Sequence, residues 1–212
     1  MSIDHPLPKP PTLVETIEAG FRGDLELVAT AMTSAENDVR AAALSASLRL
    51  GILTPDVLAS YLTDASSVVR RRATELSARI EPTSDLVDAV CERLGDEPQI
   101  AETAAFVIGE AGEADRDTVS GAVVDALKSQ ALNHDDSLCR EAAVAALGAL
   151  HTGLETILIA LTDKATVRRR AVIALAPFEG DDVAAALTAA LDDRDWQVRQ
   201  AAEDLLASDE ND

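Results

Sequence analysis

The chain has 212 residues, and 38 acidic against 18 basic side chains leave a formal net charge of −20. A surface that acidic repels phosphate backbones, and with only three Phe, one Tyr and one Trp the chain lacks platforms for stacking bases, so nucleic-acid binding is argued against. Hydrophobic residues at 47 % suffice for a continuous core, yet no run reaches the roughly 18 to 20 apolar residues of a membrane span.

Taken in order, residues 1–11 carry Pro6, Pro8, Pro10 and Pro11 and read as an extended lead-in. No charged-then-apolar signal pattern begins the chain, which argues for a cytoplasmic protein. Thr12 caps a short helix to about Ala19, and Gly20-Phe21-Arg22-Gly23 breaks it. Asp24 caps a helix to about Met32, whose partner runs over about 36–50. Thr54-Pro55 reads as a cap followed by Pro at the first helical position; a second helix pair then fills about 54–80. A third covers about 84–111, ended by Gly109, Gly112 and the charged run 113–117. A longer connector and a helix over about 118–131 follow, either bending the array or protruding from its outer side. Further helices fall at about 137–150, 153–177 (two, the second ended by Pro177) and 181–207 (two). Residues 12–207 thus form one domain, and 208–212 an acidic tail.

The second helices share a register. Aligned on Val39, Val69, Ile100, Cys139, Val167 and Val198, they repeat at 30, 31, 39, 28 and 31 residues. The next residue is Arg40, Arg70, Ala101, Arg140, Arg168 or Arg199, and four after each anchor stands Ala43, Ala73, Ala104, Ala143, Ala171 or Ala202. Small or apolar residues follow at plus seven. Offsets of zero, four and seven trace one helix face, and alanine at plus four admits a close neighbour. Before each anchor lies a polar turn, mostly rich in Asp and Ser, suited to capping the helix it precedes. Such helix pairs cannot bury their apolar faces singly, whereas stacked copies can. The expected fold is all-α: a right-handed α-α superhelix of six two-helix units plus an extra N-terminal helix.

The run Asp135-Asp136-Ser137-Leu138-Cys139-Arg140-Glu141-Ala142-Ala143-Val144-Ala145-Ala146-Leu147-Gly148 resembles the short HEAT repeat, the kind also found in phycobilin-lyase-type proteins, and the resemblance extends over about 24–207. It implies a solenoid whose second helices line the concave face. It also implies that Arg40, Arg70, Arg140, Arg168 and Arg199 form a structural ladder with acidic turn residues. HEAT-type repeats serve many roles, so function rests on the surface.

Candidate chemistry is sparse. His5, His134 and His151 have no ligand partner at helical spacing, no His-Glu pair of the kind carried by HEAT-repeat hydroxylases occurs, and no phosphate loop, nucleophile elbow or zinc pattern is present. Neither a catalytic residue, a cofactor nor a metal is therefore expected. Cys91 and Cys139, on different units, read as buried free thiols. Offsets two, three and six of the second helices face away from the core and bring forward Arg71, Arg72, Glu102, Phe106, Glu141, Arg169, Arg170 and Ile173 as candidate partner contacts. Two Arg runs then flank an acidic and apolar centre, a pattern suited to a mixed-charge partner. The arginines read either as such contacts or as a solvated face paired with local acids. Phe106 and Ile173 read either as groove residues or as packed between helices; Trp196 reads as packing over the last unit. The expected function is a monomeric, non-enzymatic protein-interaction scaffold of a prokaryotic, armadillo-like type that binds another protein, neither nucleic acid nor membrane. The rival is a subunit of a bilin-lyase-type enzyme. The acidity fits either a salt-adapted or high-GC source or a basic partner.

Overall fold

The computed structural model describes residues 9–209, and among them every regular element is helical. The thirteen α-helices are α1 (Leu13–Arg22), α2 (Leu25–Met32), α3 (Asn37–Arg49), α4 (Pro55–Tyr61), α5 (Ser67–Ser77), α6 (Ser84–Cys91), α7 (Pro98–Ala114), α8 (Gly121–Asn133), α9 (Ser137–Ala149), α10 (Leu154–Ala160), α11 (Ala165–Ala174), α12 (Asp181–Ala190) and α13 (Trp196–Asp209). Most of the lead-in and the last residues of the acidic tail lie outside the described residues.

The odd-numbered helices stack on one another in sequence, α1 on α3, α3 on α5 and so on to α13, as one row. The even-numbered helices form the second row, each against the odd-numbered helix that follows it. Caps set these short helices off. Asp24, Thr54, Thr83 and Ser120 accept backbone N–H groups at the starts of α2, α4, α6 and α8 through their side chains, which satisfies donors the helix itself cannot. Thr12 and Glu15 close a reciprocal capping box at α1.

The repeat register maps onto the core. All six anchors are buried, and Ala43, Ala73, Ala104, Ala143, Ala171 and Ala202 are wholly inaccessible. From Val69 and Ala73 onward most of them share one core with first-helix leucines such as Leu58 and Leu127, which runs along the stack, while Val39 and Ala43 pack with Ala31 in a smaller cluster. Replacing Ala143 by Leu drives three extra carbons into this seam. A loss of about 1 to 3 kcal/mol is expected, read as a lower denaturant midpoint; an unchanged midpoint would contradict the packing.

Two boundaries expected at glycines differ from expectation. Gly20 does not break α1, which continues to Arg22. A Cβ there would stand 2.8 Å from Ala46 Cβ, so Gly20 is a close-packing residue, while Gly23, at φ +80, ends the helix. The extra helix is consequently the first member of the odd-numbered row. Gly109 and Gly112 likewise lie inside α7, which extends to Ala114. The surplus residues between the third and fourth units go into that extension, a 3-10 turn at Arg116–Thr118 and the 13-residue α8, whose Val123, Leu127 and Ala131 are buried. The array stays packed there: α7 and α9 are in direct contact.

Candidate functional site

The turns before the second helices are joined by arginine. Arg40 donates through Nε and Nη2 to Asp64, at 3.0 and 2.8 Å, and through Nη1 to the Ser34 carbonyl of its own turn. Arg70 does the same to Asp96 (2.6 and 2.7 Å) and the Asp64 carbonyl. Arg140 grips Asp163 (2.6 and 2.7 Å) and the His134 carbonyl; Arg168 grips Asp193 (2.8 Å twice) and the Asp163 carbonyl. Each planar fork meets a carboxylate squarely and ties two successive turns. Arg199 closes the series with a bond to the Asp193 carbonyl.

Their guanidinium partners hold the carboxyls of Asp64, Asp96, Asp163 and Asp193 below the ordinary aspartate value of 3.8. Between the folded and unfolded values the unfolded chain binds more protons, so stability rises with pH there. The stabilisation is whole above 3.8 and is lost as pH falls through the depressed folded values. The urea midpoint should hold steady down to about pH 5 and fall steeply toward about pH 2. Neutralising the four aspartates to Asn should flatten that fall, and an undiminished acid transition in that variant would refute the assignment.

One rung is missing. Ala101 occupies the arginine position on α7, and the step from α7 to α9 is held differently. Gln130 Nε2 donates to the Ala101 carbonyl at 3.4 Å, and Cys139 Sγ lies 3.2 Å from the Pro98 carbonyl. Gly109 lets the helices close: a Cβ on it would stand 3.2 Å from Ala146 Cα, and one on Gly112 would overlap Leu150. Burial pushes both thiols, Cys91 and Cys139, up to about 11, so neither supplies appreciable thiolate near neutral pH.

Over this step lies an open groove of about 780 Å³. Its floor is made by Ala142, Ala145, Ala146 and Ala149 of α9, small enough to leave room above them. Phe106 of α7 and Leu138 of α9 stand in it more than half exposed, at 55 % and 51 %. Of the residues singled out by helical offset, Arg71, Glu102, Phe106, Glu141 and Arg170 come together here. Arg169 and Ile173 line a second, smaller groove of about 460 Å³ between α11 and α13, beside Trp196. Arg72 lines neither and pairs with Glu75 at 2.9 Å. Phe106 and Ile173 are therefore surface residues, and Trp196, 64 % exposed at the first turn of α13, does not pack down over the last unit.

The arginines in the main groove are engaged. Arg170 Nη2 meets Glu141 Oε1 at 3.3 Å; Arg71 reaches Gln99 Oε1 at 3.5 Å and Glu75 at 3.8 Å. Sequence offsets missed Glu110, Glu113 and Leu138. Glu110 follows Phe106 by four residues and Glu113 by seven, the same helix face continued beyond plus six and, for Glu113, beyond the expected end at 111.

Against known proteins, a sequence profile of HEAT repeats matches residues 124–207. No curated protein matches the chain. Among solved structures, YibA of Escherichia coli superposes with a TM-score of 0.68 at 14 % identity, over 96 % of this chain and 77 % of that one. Two engineered proteins superpose with TM-scores of 0.66 and 0.61, both at 20 % identity over 89 % of this chain, and over 99 % and 97 % of their own lengths. Such identities speak to fold alone. Among the described residues no helix is long and apolar enough to cross a membrane. Register, stacking and comparison agree: the chain is an α-solenoid that carries HEAT repeats over residues 124–207.

Proposed function

We propose that this protein is a non-enzymatic scaffold that takes a segment of a partner protein into the groove over α7 and α9. One observation carries the reading: two large apolar side chains, Phe106 and Leu138, stand exposed above a floor of alanines in a groove of about 780 Å³. Water-exposed apolar anchors over a rigid, roomy floor are what a docking segment covers, and covering them removes apolar surface from water. The close contacts at Gly109 and Gly112 hold α7 against α9, so little ordering is needed on binding.

Panning a random peptide display library against the immobilised protein tests this. Clones should bind the wild type and lose binding to Phe106→Ser and to Ala145→Arg, which fills the floor. Both variants should keep the wild-type helical circular dichroism. Clones that bind wild type and both variants alike would sink the groove reading.

A further inference from the structure

Among the α7 side chains that line the groove are Glu102, Phe106, Glu110 and Glu113. The first three are spaced by four residues, so the two outer carboxylates stand about 12 Å apart along the axis with the ring midway. Among the described residues none of these three carboxylates has an ion-pair partner. The two groove arginines have partners of their own, Glu141 for Arg170 and Glu75 with Gln99 for Arg71. The groove thus holds five carboxylates to two guanidinium groups and surrounds its exposed ring with unpaired negative charge.

Building on the scaffold reading, we infer that the groove's occupant is a cationic segment of a partner protein, with Lys or Arg on both sides of an apolar residue. The apolar residue packs on Phe106 and Leu138 over the alanine floor, and the flanking cations meet Glu102 on one side and Glu110 with Glu113 on the other. The spacing of about 6 Å between ring and carboxylate suits alternate residues of an extended segment, at about 3.3 Å each, or every fourth residue of a helix. A carboxylate-bearing occupant meets repulsion from three unpaired glutamates and finds the arginines already engaged. The mixed-charge ligand suggested by the Arg runs of the sequence is replaced by a basic one. Over this same surface the net charge of −20 steers such a segment inward.

The test is the set of display clones whose binding is lost in Phe106→Ser. They should carry Lys or Arg flanking an apolar residue. Their affinity should drop about ten-fold in a Glu102→Gln, Glu110→Gln, Glu113→Gln variant, the combined size of about three exposed ion pairs. An equal-charge control, Asp56→Asn, Asp181→Asn, Asp182→Asn on the first helices, should leave it within about two-fold. Groove-dependent clones without cations, or indifferent to the glutamate variant, would overturn the cationic occupant while leaving the groove reading intact. Equal loss in the control would assign the attraction to the overall field and overturn it too. No Phe106-dependent clone at all would overturn both.

Discussion

An Arg168→Leu variant should lose about 3 to 4 kcal/mol of stability. The guanidinium and the Asp193 carboxylate it grips keep only 6 % and 16 % of their side-chain surface exposed. Removing the cation strands that carboxylate with neither its counter-charge nor its two 2.8 Å donors, and it also strips a donor from the Asp163 carbonyl. The penalty comes mainly from the charge left behind. Adding Asp193→Asn to the variant should therefore restore part of the loss, because Asn is neutral and can still accept the Asp195 N–H that Asp193 receives. Arg199→Leu is the internal comparison. That side chain makes one hydrogen bond, to the Asp193 carbonyl, and its loss should cost about 1 kcal/mol. In an array where each unit touches only its neighbours, the damage should spread outward from α11 to α13. Equal losses for Arg168 and Arg199 would mean that the rungs do not carry the stack.

Gly148→Val should lose about 3 kcal/mol, the upper end for overpacking. A Cβ at this position would stand 2.8 Å from Ala174 Cβ, 2.9 Å from Ala174 Cα and 3.2 Å from the Ala174 carbonyl oxygen. Two of those three atoms are backbone, so the neighbour cannot swing aside, and α9 and α11 must part. A branched side chain adds two more carbons to the clash. Gly95→Ala, by contrast, meets nothing within 4 Å and should change stability little, which makes it the matched control. Both glycine variants are read by denaturant midpoint, and a midpoint for Gly148→Val equal to wild type would show that the two helices are not in close approach.

Much of this architecture is legible in the sequence because a solenoid writes its contacts locally. Val39 and Ala43 mark a buried face within one helix turn, and the same offsets recur through Val198 and Ala202. The helix expected over about 36–50 is Asn37–Arg49 in the structure. Glycine is where the reading fails. Gly20, Gly109 and Gly112 look like helix breakers, yet the first two face an alanine of the next helix in the row and the third faces Leu150. Propensity alone cannot say that a neighbour is near enough to repay a glycine inside a helix. That error hid part of the groove. A third unit ending at 111 leaves out Glu113, and offsets that stop at plus six leave out Glu110, at plus ten from Ile100, so the Arg runs stand out on that face. What an arginine already holds is a matter between units: Arg170 meets Glu141 from 29 positions away, and no local pattern shows it.

Backbone chemical-shift mapping of the isotope-labelled protein, titrated with a Phe106-dependent peptide, locates the bound segment residue by residue. Shifts should concentrate in α7 from Glu102 to Glu113 and in α9 from Leu138 to Ala149, fading through α5 and α11. Shifts centred on α4, α10 and α12, or on α1 and α2, with α7 and α9 unmoved, would contradict a segment bound in the groove.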